Sequence, residues 1–258
     1  MEGSRGLLND MDNGEILILG IGTAGSRAAY YLYQRGELSC ARIHAVDSDE
    51  GQLETLPTLH TILVPPPPSL PVGIAAEQAK QAFLAALEEP LADAKMLVVV
   101  TCLGGNTGDF YTQFALEAAR SKEIPTFTFA ALPHAFDSEE YRNCATQTLE
   151  ILKAQHFFVI TLDCAQFGQF FPDSSKENAY AQAVRWVAET TIGYMKLFAQ
   201  PKIDTEKRAA MHSKSKVMNF DEMPRGIFAG TYPTIIDNQN LDIPTYLRLN
   251  LAINEKQL

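Results

Sequence analysis

The sequence predicts an α/β protein built as a three-layer, doubly wound parallel sheet of the Rossmann-like kind. Three observations predict it. Short β-branched apolar runs alternate with longer stretches whose apolar residues recur at helical spacing, the pattern of repeated β-α units. A glycine-rich turn, Gly20-Ile21-Gly22-Thr23-Ala24-Gly25, follows the first run directly, and a second, Gly104-Gly105-Asn106-Thr107-Gly108, follows the most apolar run, residues 96–101. Glycine lets backbone N–H groups approach an anion closely, and the helix beyond aims the positive end of its dipole at the same place. Two such turns in register point to a phosphate chain gripped from both sides.

Each element follows from local pattern. Residues 16–19 read as the first strand, and residues 25–35 as a helix with Ala28, Ala29 and Leu32 on one face, closed before Gly36. Residues 43–46 make a second strand, ended by Asp47. The third, residues 61–64, is stopped by Pro65 to Pro68, since proline has no N–H to give a ladder. Ala75, Ala79, Phe83 and Leu87 mark residues 74–91 as helical. After the fourth strand come a helix over 110–122, a strand over 126–130, a loop over 133–136, a helix over 137–155 and a strand over 157–161. Right-handed crossovers between parallel strands then put both glycine turns at the carboxyl edge of one sheet, where ligands bind in such folds. Residues 178–198, with Ala179, Ala183, Trp186, Val187, Thr190 and Tyr194, form a long helix that lies against the sheet.

Composition divides the chain into a nucleotide-binding domain over 1–200, a charged linker over 201–225 and a tail over 226–258 that regains apolar and aromatic residues. A net charge of -10 and the lack of clustered Lys and Arg exclude a nucleic-acid surface. No apolar run approaches the roughly 20 residues that span a bilayer, and residues 1–12 lack the apolar core of a secretion signal, so a cytoplasmic protein is expected. Cys40, Cys102, Cys144 and Cys164 form no C-x-x-C pair, and His44, His60, His134, His156 and His212 have no mutual spacing for a metal or a relay. Ser26 and Thr107 stand where a hydroxyl serves a helix start or a phosphate equally well.

The order of a first glycine loop, an acidic strand end, a second loop of the form G-G-x-T-G and a Pro-x-x-Phe-acidic loop, here Pro133-His134-Ala135-Phe136-Asp137, resembles bacterial FtsZ, the cell-division homologue of tubulin. The resemblance covers about residues 16–198. It implies that GTP or GDP, with Mg²⁺, is held by Gly20, Gly22, Thr23, Ala24, Gly25, Ser26, Asp47, Gly104, Gly105, Asn106, Thr107, Gly108, Phe136, Asp137 and Tyr180. Asp137 falls at the ribose carboxylate, the next Arg of the family aligns with Tyr141, and Tyr180 is placed to stack on a base. Asp242, Ile243, Pro244, Tyr246, Leu247 and Arg248 resemble the C-terminal peptide by which that family engages membrane-tethering partners, which implies a division-associated adaptor. Filament docking or self-association is implied likewise.

Departures from the family pattern qualify the activity. Asn106, Asp109 and Phe110 replace family residues of the second loop, and Asp109 either binds Mg²⁺ or repels a triphosphate. The family's third phosphate loop aligns with residues 65–72, where prolines have removed backbone donors, so a diphosphate fits better than a triphosphate. The family's base readers fall at Leu162 and near Val184, which forfeit a charge-assisted pair with guanine. Only Asp204 and Glu206 stand where the family carries a three-carboxylate hydrolytic loop, and too few residues follow for its second domain. Weak or absent hydrolysis is expected. Two other classes remain open. One is a nicotinamide or flavin dinucleotide enzyme, for which Gly20, Gly22 and Gly25 fit G-x-G-x-x-G and Asp47 stands at the ribose-acid distance. The other is a nucleotide-free scaffold, favoured by Asn106, Asp109 and the proline stretch.

Overall fold

A computed structural model describes residues 15–69, 72–167 and 175–199, with two short strands at 235–236 and 239–240. Chain contacts divide it into units 1–202 and 203–258. The first unit carries β1 (Ile16–Ile21), α1 (Gly22–Arg35), β2 (Ala41–Asp47), α2 (Glu50–Glu54), β3 (His60–Leu63), α3 (Ile74–Ala92), β4 (Met96–Cys102), α4 (Asn106–Ser121), β5 (Thr126–Leu132), α5 (Glu139–Ala154), β6 (Val159–Asp163), α6 (Cys164–Phe167) and α7 (Lys176–Ala199). Within the second unit, β7 (Ile235–Ile236) pairs antiparallel with β8 (Gln239–Asn240). Asp204, Glu206 and the peptide Asp242 to Arg248 lie outside the described residues.

All pairings in the six-stranded sheet are parallel, in the order β3-β2-β1-β4-β5-β6. The chain winds outward from β1 to β3, returns to β4 beside β1, and winds outward the other way. The reversal between β1 and β4 opens a crevice at their carboxyl ends, because the helices leaving them are sent to opposite faces. Register sets Gly20 opposite Val100 and Ile21 opposite Thr101, so both glycine loops leave the sheet at one level.

Both central strands are apolar along almost their whole length because helices cover both faces. Ile16, Ile18, Val98 and Val100 pack with Ala28, Ala29 and Leu32 of α1 and Ala183, Val187, Ala188 and Met195 of α7. On the other face Leu17, Leu19, Leu97 and Val99 pack with Phe83 and Leu87 of α3 and Tyr111, Ala115 and Leu116 of α4. Three layers result, as the pattern predicts. Tyr31 of α1 donates to Glu189 Oε1 of α7 at 2.8 Å, and Lys196 binds Glu37, so the first and last helices of this unit are tied together.

The elements differ from the sequence reading mainly at their starts. α1 and α4 begin within the glycine turns, at Gly22 and Asn106, rather than at residues 25 and 110. α5 begins after Ser138, whose hydroxyl accepts from the Tyr141 N–H at 3.2 Å. The short helices α2 and α6 have no counterpart in the periodicity, being barely more than one turn.

Candidate functional site

Glycines at the carboxyl edge of β1 and β4 bring the two loops into contact. A Cβ on Gly20 would lie 2.3 Å from the Gly25 carbonyl oxygen, and one on Gly25 would lie 2.6 Å from that of Val100, so α1 packs directly on strand backbone. Gly108 plays the same part for α4, where a Cβ would stand 2.7 Å from the Cys102 carbonyl oxygen. Gly22, at φ +77, sits against Gly108, with 3.1 Å between its missing Cβ and the Gly108 nitrogen. The two helix N-termini therefore face one space.

Neither start has a side-chain cap. α1 follows Ile21 and α4 follows Gly105, neither of which has a side chain that accepts from the helix behind it, the Gly105 carbonyl alone taking the Asp109 N–H at 2.9 Å. α2 and α5 are capped by Asp49 and Ser138. Helices of 14 and 16 residues thus aim free N–H groups and positive dipole ends into the same cleft. Its volume is about 640 Å³, within the range of small-molecule sites. Gly22, Thr23, Ala24, Gly105, Asn106, Thr107 and Gly108 line one end, and Arg27, Tyr31, Tyr141, Tyr180, Val184 and Arg185 continue the wall.

The loop after β2 joins the two cradles. The Thr23 hydroxyl donates to Asp47 Oδ2 at 2.9 Å, and Asp47 Oδ1 accepts the N–H groups of Ser48 and Asp49 at 2.7 and 3.3 Å. The Ser48 and Thr107 hydroxyls share a hydrogen bond of 2.7 Å. A closed chain of polar contacts runs from the first glycine loop to the second.

Several residues singled out in the sequence are engaged by neighbours rather than free in the cleft. Asp47 is 1% exposed and does not line the cleft; its two oxygens accept from the Thr23 hydroxyl and from N–H groups of its own loop. Ser26 is buried, and its one hydroxyl proton is shared between the Gly20 and Val46 carbonyls, pinning α1 to the sheet. Gly20, Gly25 and Gly104 stand behind the wall. Gly104, at φ +102, is covered by the Tyr141 ring. Asp109 accepts from the Gly104 N–H at 2.9 Å, and burial pushes its carboxyl up to about 6 against that bond and one from Thr148. It holds the second loop in shape and does not line the cleft. Among the described residues no group of three or more His, Cys, Asp or Glu could hold a metal.

Asp137 too is engaged. Its Oδ2 accepts the His134 N–H at 2.7 Å and its Oδ1 accepts the Tyr180 hydroxyl, whose pKa is raised by burial and by that bond. Phe136 stacks on His134 with ring centres 4.8 Å apart and lines no part of the cleft. Arg142 donates to the carbonyls of Ala135 and Asp137, holding this loop closed. Tyr141, beside it, does reach the cleft, its hydroxyl pushed up to about 12 by burial. Leu162 packs into the core, whereas Val184 lines the cleft as an apolar wall.

The sequence reading missed Arg27, Tyr31, Glu177 and Arg185. The signal was present as spacing: Thr23, Arg27 and Tyr31 recur at i, i+4, i+8 on the face of α1 opposite its buried alanines. On α7, positions 177, 180, 181, 184 and 185 form a matching stripe.

No family model and no curated protein matches the chain by sequence. Solved structures do. An empty FtsZ dimer from M. jannaschii superposes with a TM-score of 0.66 at 20% identity, covering 79% of this chain and 62% of its own. The fold is that of FtsZ. A GTPγS-bound CetZ2 protofilament from Haloferax volcanii gives 0.59 at 22% identity over 76% and 62% of the two chains. The GDP-bound CetZ1 monomer of the same organism gives 0.57 at 18% over 78% and 63%. The chain spans about three-fifths of the length of the structures it matches. No helix among the described residues is long and apolar enough to cross a membrane.

Proposed function

We propose that the chain is a tubulin-like nucleotide-binding protein that holds a nucleoside diphosphate and regulates a cytoskeletal filament in bacterial cell division, with weak or no hydrolysis. The observation that carries this reading is the meeting of two uncapped helix N-termini across one cleft, Gly22 to Ala24 on one side and Gly105 to Gly108 on the other. Free N–H groups in that arrangement suit the oxygens of an α- and β-phosphate. The FtsZ-type fold supports GTP or GDP as the ligand class, because CetZ structures of that fold hold GTPγS and GDP. The four prolines after β3 withdraw donors that a γ-phosphate would use, which favours the diphosphate. Mg²⁺, if it enters, comes with the nucleotide, since the Asp109 carboxylate is occupied.

Weak hydrolysis follows from Asp204 and Glu206, two carboxylates followed by Lys207 and Arg208. The protein acts in the cytoplasm, by docking on a filament or on itself, while Asp242 to Arg248 recruits a division-associated adaptor. A nucleotide-free scaffold is a second reading, favoured by the bond between Tyr180 and Asp137, which occupies the acceptor a ribose would need. The dinucleotide-enzyme reading loses its ribose acid, as Asp47 is buried and engaged.

The test begins with purified protein, denatured and examined for released ligand by mass spectrometry, followed by thermal melts with GDP, GTP and NAD. A ligand at 100 times its dissociation constant adds about 2.7 kcal/mol, so a true ligand gives a shift of several degrees. GDP is expected to shift the melt most. A shift with NAD alone would move the protein to the oxidoreductases, and no shift with any nucleotide, with no ligand released, would leave the scaffold.

A further inference from the structure

Behind the cleft lies a side chamber of about 50 Å³, which shares Ala24, Cys102, Tyr141 and Tyr180 with it as walls. His134, Asp137 and Cys164 line the chamber and take no part in the cleft. A water molecule's share of liquid volume is about 30 Å³, so the chamber suits one hydroxyl or water and no ring. Ala24 belongs to the first glycine loop, which sets the chamber beside the place where a diphosphate would sit.

The chamber holds an unmet polar group. His134 is 3% exposed, and neither of its ring nitrogens has a hydrogen-bond partner. Burial lowers its pKa, against the Asp137 carboxylate and the Cys164 and Ala179 carbonyls, which raise it. The ring is therefore neutral at physiological pH, with one N–H and one lone pair. All three of those neighbours are acceptors, so they offer something to the N–H and nothing to the lone pair. The two thiols in the wall are weak donors, and Cys164 Sγ already turns to the Leu162 carbonyl at 3.9 Å. Leaving a buried polar atom unpaired is costly, and a group that donates into the chamber would relieve it. Tyr180 stands at the boundary between the two spaces. Its hydroxyl donates to Asp137 Oδ1, and its ring meets His134 and Phe136 edge-on, with centres 5.3 and 5.6 Å apart. The residue is 45% exposed, so it can turn outward without opening the core.

Resting on the nucleotide reading above, we propose that the chamber is a subsite for one sugar hydroxyl, which donates to the free ring nitrogen of His134, and that Tyr180 is a latch that must release Asp137 before the hydroxyl enters. A hydroxyl carries both a donor and lone pairs, so it serves the His134 nitrogen and still accepts from a neighbour. A deoxy position has no proton to give and leaves His134 as it stands. In the closed state the Tyr180 hydroxyl keeps the nearest carboxylate occupied, so the subsite is withheld rather than lost. His134 and Tyr180 thereby set how strongly the cleft prefers a ligand with an intact sugar, while the two glycine loops hold any diphosphate alike.

The experiment is calorimetric titration of the full chain, freed of any co-purified ligand, with GDP, 2′,3′-dideoxy-GDP and inorganic pyrophosphate, repeated on Tyr180→Phe and His134→Phe. Tyr180→Phe keeps the ring and removes its bond to Asp137. GDP is expected to bind the parent about threefold or more tightly than dideoxy-GDP, and Tyr180→Phe to tighten GDP by a further factor of about three to ten. Dideoxy-GDP and pyrophosphate should bind the parent and Tyr180→Phe alike, and His134→Phe should bring GDP down to the dideoxy level. Equal binding of GDP and dideoxy-GDP by the parent and by Tyr180→Phe would overturn the proposal and leave the phosphate cradle standing. So would a GDP preference that survives His134→Phe, since the chamber would then hold only a water. Should His134→Phe fail to fold, Tyr180→Phe decides: a gain confined to GDP supports the latch, and a gain shared with dideoxy-GDP, or none, overturns it. Failure of all three ligands on the parent and on Tyr180→Phe would overturn the nucleotide reading together with this one.

Discussion

Asp109 carries the sharpest residue-scale consequence, because its folded-state pKa of about 6 lies above the ordinary 3.8. A carboxyl raised on folding contributes stability that is complete below the ordinary value and is lost as pH climbs through the raised one. The native state should thus lose up to about 3 kcal/mol at this site between pH 4 and pH 7, at 1.36 kcal/mol per unit. Asp109→Asn keeps an oxygen for the Gly104 N–H and removes the charge. Urea unfolding should find the variant more stable than the parent at pH 8 by about 2 kcal/mol and nearly equal at pH 4. A parallel pH dependence in both proteins would show that Asp109 ionises without penalty. Glycines give a second contrast within the same helices. Gly25→Ala gains about 1 kcal/mol of helix propensity but drives a Cβ to 2.6 Å from the Val100 oxygen, so a net loss of about 2 kcal/mol or more is expected. Gly193→Ala on α7 meets nothing within 4 Å and should stabilise by about 0.5–1 kcal/mol. Thermal melts of the pair check the opposite signs, and a stable Gly25→Ala protein would mean that α1 does not press on the sheet as described.

Among the elements, strands were the most legible part of the sequence. Central strands buried on both faces must be apolar throughout, so residues 16–19 and 96–101 announced themselves within two positions of their ends. Helix starts were less so, for a physical reason. Gly22 and Gly108 look like loop residues by propensity, yet they belong to α1 and α4, where strand backbone and the facing loop leave no room for a side chain. The phosphate cradle was legible because its residues are contiguous in the chain. The other end of the cleft was not, since Arg27, Tyr31, Val184 and Arg185 come from helices about 150 residues apart and meet only after folding. Polar commitments were equally hidden. Nothing in the spacing of Asp47, Ser26, Asp109 or Asp137 tells that each is consumed by a neighbour's hydroxyl, N–H or carbonyl.

For the molecule, the consequence of the winding is that one ligand would touch elements from nearly the whole length of the first unit. Residues 22–24 follow β1, 105–108 follow β4, and the stripe from Glu177 to Arg185 lies on α7, which Tyr31 and Glu37 tie back to α1. Binding at such a junction should therefore be felt together in all three segments, because each supplies one wall and none is backed by another ligand contact. Amide hydrogen exchange on the full chain, with and without the diphosphate that binds best, measures this directly. Slowed exchange is expected at residues 22–27, at 105–108 and along 177–185, with β1 and β4 already slow in both states as the core of the sheet. Slowing confined to the two glycine loops would place the ligand's whole weight on the phosphate cradle and exclude α7 as a wall. Slowing along α7 alone would be harder to reconcile with any anion, since it would leave two uncapped helix N-termini facing the cleft without the partner their geometry calls for.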